Sequence, residues 1–171
     1  MQKVLLAHIE KCTGCGRCTL ACSSAKEGVF VPTKSRIHFV NFPREGLSVP
    51  NLCFHCEKPS CAEACPLDAI SRNDIGTVVV DWDTCTGCAE CVDACPYGMI
   101  ELNDEGLAYK CDFCGGDPEC VKVCQPMAIS YDAPEGDSLK NRLFQMSKKV
   151  AEGEPAYKRI ILAGIFKDLL C

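Results

Sequence analysis

Cys85-Thr86-Gly87-Cys88-Ala89-Glu90-Cys91-Val92-Asp93-Ala94-Cys95-Pro96 is the stretch whose spacing decides the fold. Three thiols arrive at two-residue intervals, and a fourth follows three residues later, directly before a proline. In such a run three sulfurs converge on one [4Fe–4S] cubane while the fourth reaches over to a second one. Convergence needs a tight loop, and Gly87 permits the backbone geometry of that loop. The fourth thiol sits on the short helical turn leaving the loop, too far round to serve the same cube.

The chain carries four versions of this motif. The first is Cys12, Cys15, Cys18 and Cys22, with Gly14 in the place of Gly87 and Ser23 rather than proline after the fourth thiol. The second is wider: Cys53, Cys56, Cys61 and Cys65, followed by Pro66. The third is Cys85, Cys88, Cys91 and Cys95; the fourth is Cys111, Cys114, Cys120 and Cys124, followed by Gln125-Pro126. Zinc normally takes two Cys-x2-Cys pairs, so three regularly spaced thiols and a Cys-Pro fit iron–sulfur cubanes better. All four quartets are complete, which leaves no vacant iron for a radical cosubstrate.

Seventeen cysteines in 171 residues imply either a disulfide framework or bound metal. Met1–Ala7 meets Cys12 too soon for a secretory signal, and no apolar run approaches the roughly 18 residues of a spanning helix. These features predict a cytoplasmic protein without a membrane span, in a compartment where thiols stay reduced. Cluster ligation then makes up for a modest apolar core. A formal charge of −5 argues against nucleic acid. Residues 137–171 carry seven Lys/Arg against four Asp/Glu, and the remainder 11 against 19, so an acidic body ends in a basic tail.

Between the motifs, short strands are predicted. Val4–Ile9 feeds the first motif, Arg36–Val40 is a strand set among loops marked by Pro32, Pro43 and Pro50, and two hairpins follow the second and third motifs. These hairpins join Leu67–Ile70 to Gly76–Asp81, and Met99–Leu102 to Leu107–Lys110. A short proline-to-isoleucine unit recurs at Pro66–Ile70, Pro96–Ile100 and Pro126–Ile129, an internal repeat too small to bury a core alone. Units must therefore pair. If each pair joins a compact motif to a widened one, a tandem pairing and a nested pairing both survive. The inner two motifs end Cys-Pro and the outer two depart from it, which favours the nested one.

The predicted fold is therefore α+β: two ferredoxin-like modules within residues 1–131, an outer one over about 1–30 and 105–131 and an inner one over about 50–104. Residues 132–171 form a helical extension for docking or oligomerisation. Nesting assigns four [4Fe–4S] clusters to Cys12, Cys15, Cys18 with Cys124; Cys111, Cys114, Cys120 with Cys22; Cys53, Cys56, Cys61 with Cys95; and Cys85, Cys88, Cys91 with Cys65.

From Val4 to Tyr131 the chain resembles the four-cluster iron–sulfur subunits of the dimethyl-sulfoxide-reductase and formate-hydrogenlyase type. The stretches Phe54–Cys61 and Lys110–Pro118 look most like the polyferredoxins that accompany tungsten aldehyde oxidoreductases, whose relatives stand beside carbon-monoxide dehydrogenase and hydrogenase. The resemblance implies nested pairing and a wire between a catalytic subunit and an acceptor. It implies a tungsten- or molybdenum-type catalytic partner. The alternatives are a hydrogenase or carbon-monoxide dehydrogenase partner, or a free carrier. No phosphate loop, Rossmann glycine run or Ser/His/Asp set is found, so flavin or nicotinamide would belong to another subunit.

The remaining residues have plainer readings. His55, between two ligands, reads as a polar filler or a donor near sulfur; His8 and His38 read as structural; Trp82 reads as core. Phe54, Tyr97 and Phe113 shield cubanes from water, and Cys171 is incidental. In the tail, Leu139, Leu143, Met146 and Val150 share one helical stripe, and Ile161, Leu162, Ile165, Phe166, Leu169 and Leu170 share a second. That face packs back on the body or docks on a catalytic subunit or another copy of the chain.

Overall fold

The structure, a computed structural model, describes residues 3–42 and 47–133. The expected C-terminal helices and Cys171 lie outside the described residues. Within them the architecture is mixed α+β, made of short helices and antiparallel strand pairs.

β1 (Val4–Ala7) leads through a 3-10 turn to the first cysteine loop, and α1 (Arg17–Glu27) leaves it. At eleven residues α1 is far longer than the short turn expected there. Its length follows from Ser23. A proline after Cys22 would remove a helical N–H and crowd the preceding turn. Ser23 instead lets the helix run on to Gly28, which closes it in the left-handed region at φ 68° with its N–H on the Ser24 carbonyl. The fully buried Ser23 hydroxyl donates to the Leu20 carbonyl and accepts from the Val31 amide, tying the helix to the segment that follows it.

A hairpin of β2 (His38–Phe42) and β3 (Leu47–Asn51) fills the long connection. The second of these strands went unread because Pro50 signals a loop. In a two-stranded ribbon it faces Phe39 on an edge, where a missing N–H is tolerated. α2 (Ser60–Glu63), β4 (Ile70–Arg72) and β5 (Val78–Val80) belong to the second motif. α3 (Glu90–Ala94), β6 (Ile100–Leu102) and β7 (Ala108–Lys110) belong to the third. α4 (Glu119–Lys122) and β8 (Ile129–Asp132) close the fourth.

β4 pairs with β5 and β6 with β7, as the sequence hairpins require. β1 pairs instead with β8, the first described strand with the last, with Leu5 opposite Tyr131. The helices follow the same division: α1 packs on α4 and α2 on α3. Three apolar clusters result, and each contains thiols. Cys18, Cys22 and Cys120 sit with Leu5, Ile37 and Phe113; Cys61 and Cys91 with Ile70, Val78 and Ile100; Cys53 with Phe54, Tyr97 and Met99. Among the described residues, no helix is long and apolar enough to cross a membrane.

Candidate iron–sulfur centres

Each cysteine loop is held by left-handed backbone near its second thiol. Gly14 and Gly87 have φ 67° and 71°, and two residues on Gly16 and Ala89 have φ 71° and 67°. Gly87 has a further reason to lack a side chain. A Cβ there would stand well inside contact distance of the Gly106 carbonyl oxygen, with the carbonyl carbon 3.1 Å away. The third motif's loop is thus pressed onto the turn between β6 and β7.

These loops gather thiols in fours. Cys53, Cys56, Cys61 and Cys95 line one cavity of about 310 Å³, roofed by Phe54, Tyr97 and Lys110. Cys65, Cys85, Cys88 and Cys91 line a second, much smaller one, and Cys22, Cys111, Cys114 and Cys120 a third. Burial pushes the Cys18 thiol up to about 12, and the nearby Cys12, Cys124 and Cys15 add to the rise. Burial likewise raises Cys61 to about 12, and lifts Cys111 and Cys120 well above the ordinary thiol range. Cys15 differs: the Arg17 amide holds its exposed thiol below the usual value. A thiol must lose its proton to bind metal, so groups this buried load with proton release.

Neighbouring groups also share apolar clusters. Cys18 packs in one cluster with Cys22 and Cys120, and Cys111 packs against the cluster of Cys53. Cys61, Cys65, Cys91 and Cys95 share one apolar cluster, which joins their two groups.

The donor chemistry fits cubanes. Backbone amides point at sulfur: Met99 N–H to Cys95 at 3.4 Å and Ala128 N–H to Cys124 at 3.2 Å. Both lie four residues past the thiol, inside the repeated unit. Cys22 lacks that unit because α1 continues, and its Sγ receives the Arg36 N–H at 3.3 Å from the segment before β2.

Of the other sequence expectations, Phe54, Tyr97 and Phe113 are buried beside thiols. Phe54 meets Tyr97 edge-on at 4.8 Å, and Phe113 lies against the His55 ring at 3.8 Å. His55 is a buried filler whose Nδ1 accepts the Val78 N–H. His8 and His38 reach Ser130 and Glu101. Trp82 is not core: 45% exposed, it is fixed through its indole N–H on the Ala108 carbonyl. Two buried cations escaped the sequence reading. Arg36 pairs with Glu27 and lies over the Tyr109 ring at 4.6 Å, and Lys110 has no surface to reach. The only sequence signal for Lys110 is its place directly before the ligand-type Cys111.

Residues 45–133, just over half the chain, match a 4Fe-4S dicluster domain, and residues 9–25 a 4Fe-4S binding domain. The chain is 41% identical to the polyferredoxin-like subunit of aliphatic sulfonate oxidoreductase of Pyrococcus furiosus, over 70% of each chain. It is 35% identical to one of the chains of the anaerobic dimethyl sulfoxide reductase of Escherichia coli, over 71% of this protein and 68% of that one. It is also 35% identical to one of the subunits of the tetrathionate reductase of Salmonella typhimurium, over 70% of this protein but only about half (53%) of that one. The chain belongs to the 4Fe-4S dicluster family, as a ferredoxin-type iron–sulfur protein that binds several [4Fe–4S] clusters and serves oxidoreductases as a non-catalytic, electron-transfer subunit.

Proposed function

We propose that this chain carries single electrons through four [4Fe–4S] clusters between a catalytic oxidoreductase subunit and a second redox partner. The observation that supports the proposal is that three cavities are each lined by four thiols and that thiols of different motifs share apolar clusters. Each quartet takes three thiols from one motif and one from its nested partner. The proposed ligand sets are Cys12, Cys15, Cys18, Cys124; Cys22, Cys111, Cys114, Cys120; Cys53, Cys56, Cys61, Cys95; and Cys65, Cys85, Cys88, Cys91.

A bound cubane supplies a one-electron couple with little structural change. The chain's part is to hold the sites adjacent, keep water out with Phe54, Tyr97 and Phe113, and aim the Arg36, Met99 and Ala128 amides at sulfur. Amide donors and burial both move reduction potential.

For the partner we favour a tungsten- or molybdenum-type subunit that oxidises aldehydes, in the cytoplasm, with any flavin on a further subunit. Support comes from the likeness of Phe54–Cys61 and Lys110–Pro118 to polyferredoxins of such enzymes. A second reading, a partner acting on an oxidised sulfur compound, is favoured by the sulfonate, tetrathionate and sulfoxide enzymes of the three relatives. The test is anaerobic purification of the tagged full chain from its source. About sixteen irons per polypeptide and a stoichiometric large protein holding tungsten or molybdenum are expected. Viologen assays with aldehydes and with sulfonates or tetrathionate separate the two readings. Far fewer irons, or no large protein, would refute the four-cluster wire or its bound state respectively.

A further inference from the structure

A buried cation stands where two thiol groups meet. Lys110 ends β7 directly before Cys111, is only 8% exposed, and lines the cavity of Cys53, Cys56, Cys61 and Cys95. Its Nζ donates to the Val78 carbonyl at 2.5 Å and the Cys111 carbonyl at 3.2 Å, and lies 3.5 Å from His55 Nδ1. That same Nδ1 accepts the Val78 amide, so the ring presents a lone pair to this corner. Among the described residues, every hydrogen-bond partner of the ammonium is neutral. None of the ion pairs among the described residues includes Lys110.

An ammonium this deep is costly unless a negative charge balances it. Carbonyl dipoles help, but the negative groups at hand are thiolates. Cys53, Cys56, Cys61 and Cys95 line the same cavity as Lys110, and Cys111 follows it directly in the chain. A cubane on four thiolates is anionic in either oxidation state and gains one more negative charge on reduction. A fixed positive charge beside it therefore favours the reduced form.

We propose that Lys110 is the built-in counter-charge of the cluster held by Cys53, Cys56, Cys61 and Cys95, and that it raises the reduction potential of this interior member of the row. Lys110 is a positioning residue for charge, not a ligand. The inference rests on the four-cluster reading. It makes this cluster the place where an electron rests between the two ends.

The test uses the full chain, reconstituted anaerobically, as wild type, K110Q and K110R. Iron and sulfide are counted, and each cluster's couple is followed by electron paramagnetic resonance during redox titration. With full iron in K110Q, one of the four couples moves negative. At fixed potential its reduced-to-oxidised ratio falls about tenfold, which is 59 mV for one electron. K110R keeps the wild-type value. Four unmoved couples at full iron overturn the inference, as do four that move together. If K110Q loses a cluster, K110R decides. Full iron at the wild-type potential supports a counter-charge, and loss of the same cluster makes Lys110 a packing group. Wild type far short of about sixteen irons sinks the four-cluster reading instead, a distinct result.

Discussion

Gly87 and Gly106 face each other, and replacing each by alanine separates two costs that are usually confounded. Both residues have positive φ, 71° and 79°, so alanine at either pays the left-handed penalty of about 1 kcal/mol. At Gly106 nothing lies within 4 Å of the added Cβ, and the cost ends there. At Gly87 the Cβ is driven into the Gly106 carbonyl, a backbone group that no rotamer change can move aside. Overpacking of that kind adds about 2 kcal/mol, for a total near 3. For a chain of this length about 1 kcal/mol corresponds to 2–4 °C. G106A is therefore expected to melt about 3 °C below wild type and G87A about 9 °C below it. Cluster loss makes unfolding irreversible, so the comparison uses apparent midpoints of cluster absorbance at one scan rate. Equal losses in the two variants would refute the close approach of the third motif's loop to the β6–β7 turn.

C124S decides the ligand partition. After reconstitution the nested sets leave Cys12, Cys15 and Cys18 open to alkylation and keep Cys85, Cys88 and Cys91 protected; tandem pairing, in which Cys124 serves the third motif, gives the reverse, as read by peptide mass. Ala89 holds φ 67° at the place where the first motif has Gly16, so A89G is expected to stabilise by about 0.5 kcal/mol, an apparent gain of 1–2 °C. Lys26 bridges α1 to the fourth motif through Asp112 at 2.6 Å, with both side chains part-exposed, so K26M costs about 0.5–1 kcal/mol. Burial pushes the Asp112 carboxyl up, but the Lys26 ammonium and Cys114 amide hold it below the ordinary carboxylate range. A depressed carboxyl contributes above its unfolded value, about 4, and its contribution fades as pH falls through the folded one. Burial works to lower Lys26, yet Asp112 keeps it raised, so its contribution persists until pH passes the ordinary lysine range. The K26M deficit should accordingly stay flat from about pH 6 to pH 9 in denaturant titrations; a deficit that vanishes inside that window contradicts the bridge.

The iron–sulfur character of the chain was legible in the sequence because three thiols at two-residue intervals suit a cubane, whereas spacing alone left the pairing of the motifs open. The β6–β7 hairpin was legible too, and the β4–β5 hairpin in part: its first strand is Ile70–Arg72 rather than the expected Leu67–Ile70, because the apolar Leu67 and Ala69 belong to the turn that follows Cys65. Three features were not. The length of α1 depends on Ser23 having buried hydrogen-bond partners, and Val31 lies eight residues further on. β3 carries a proline that only an edge position excuses. β7 is buried at all three positions, so it lacks the alternation that would have flagged Lys110 as inward-facing. Trp82 was misread for the opposite reason: size suggests core, whereas one hydrogen bond suffices to lay it on the surface.

The repeat itself shows where local sequence stops deciding. Leu67 and Tyr97 each follow a cysteine–proline pair and occupy the same place in the units of the second and third motifs, yet they are 45% and 4% exposed. Their own units do not explain the difference, since Asp68 and Gly98, the next residues, both have positive φ and both donate to the motif's last cysteine carbonyl. The neighbours do. Tyr97 is covered because Phe54 of another motif lies edge-on against it, at the cavity that Lys110 also lines. Leu67 lines the cavity of Cys65, Cys85, Cys88 and Cys91, and among the described residues it stays largely exposed there. Burial and charge around sulfur set reduction potential over hundreds of millivolts. Identical ligand loops can therefore hold clusters of different potential, and the difference is written in which motif packs on which rather than in the cysteine spacing.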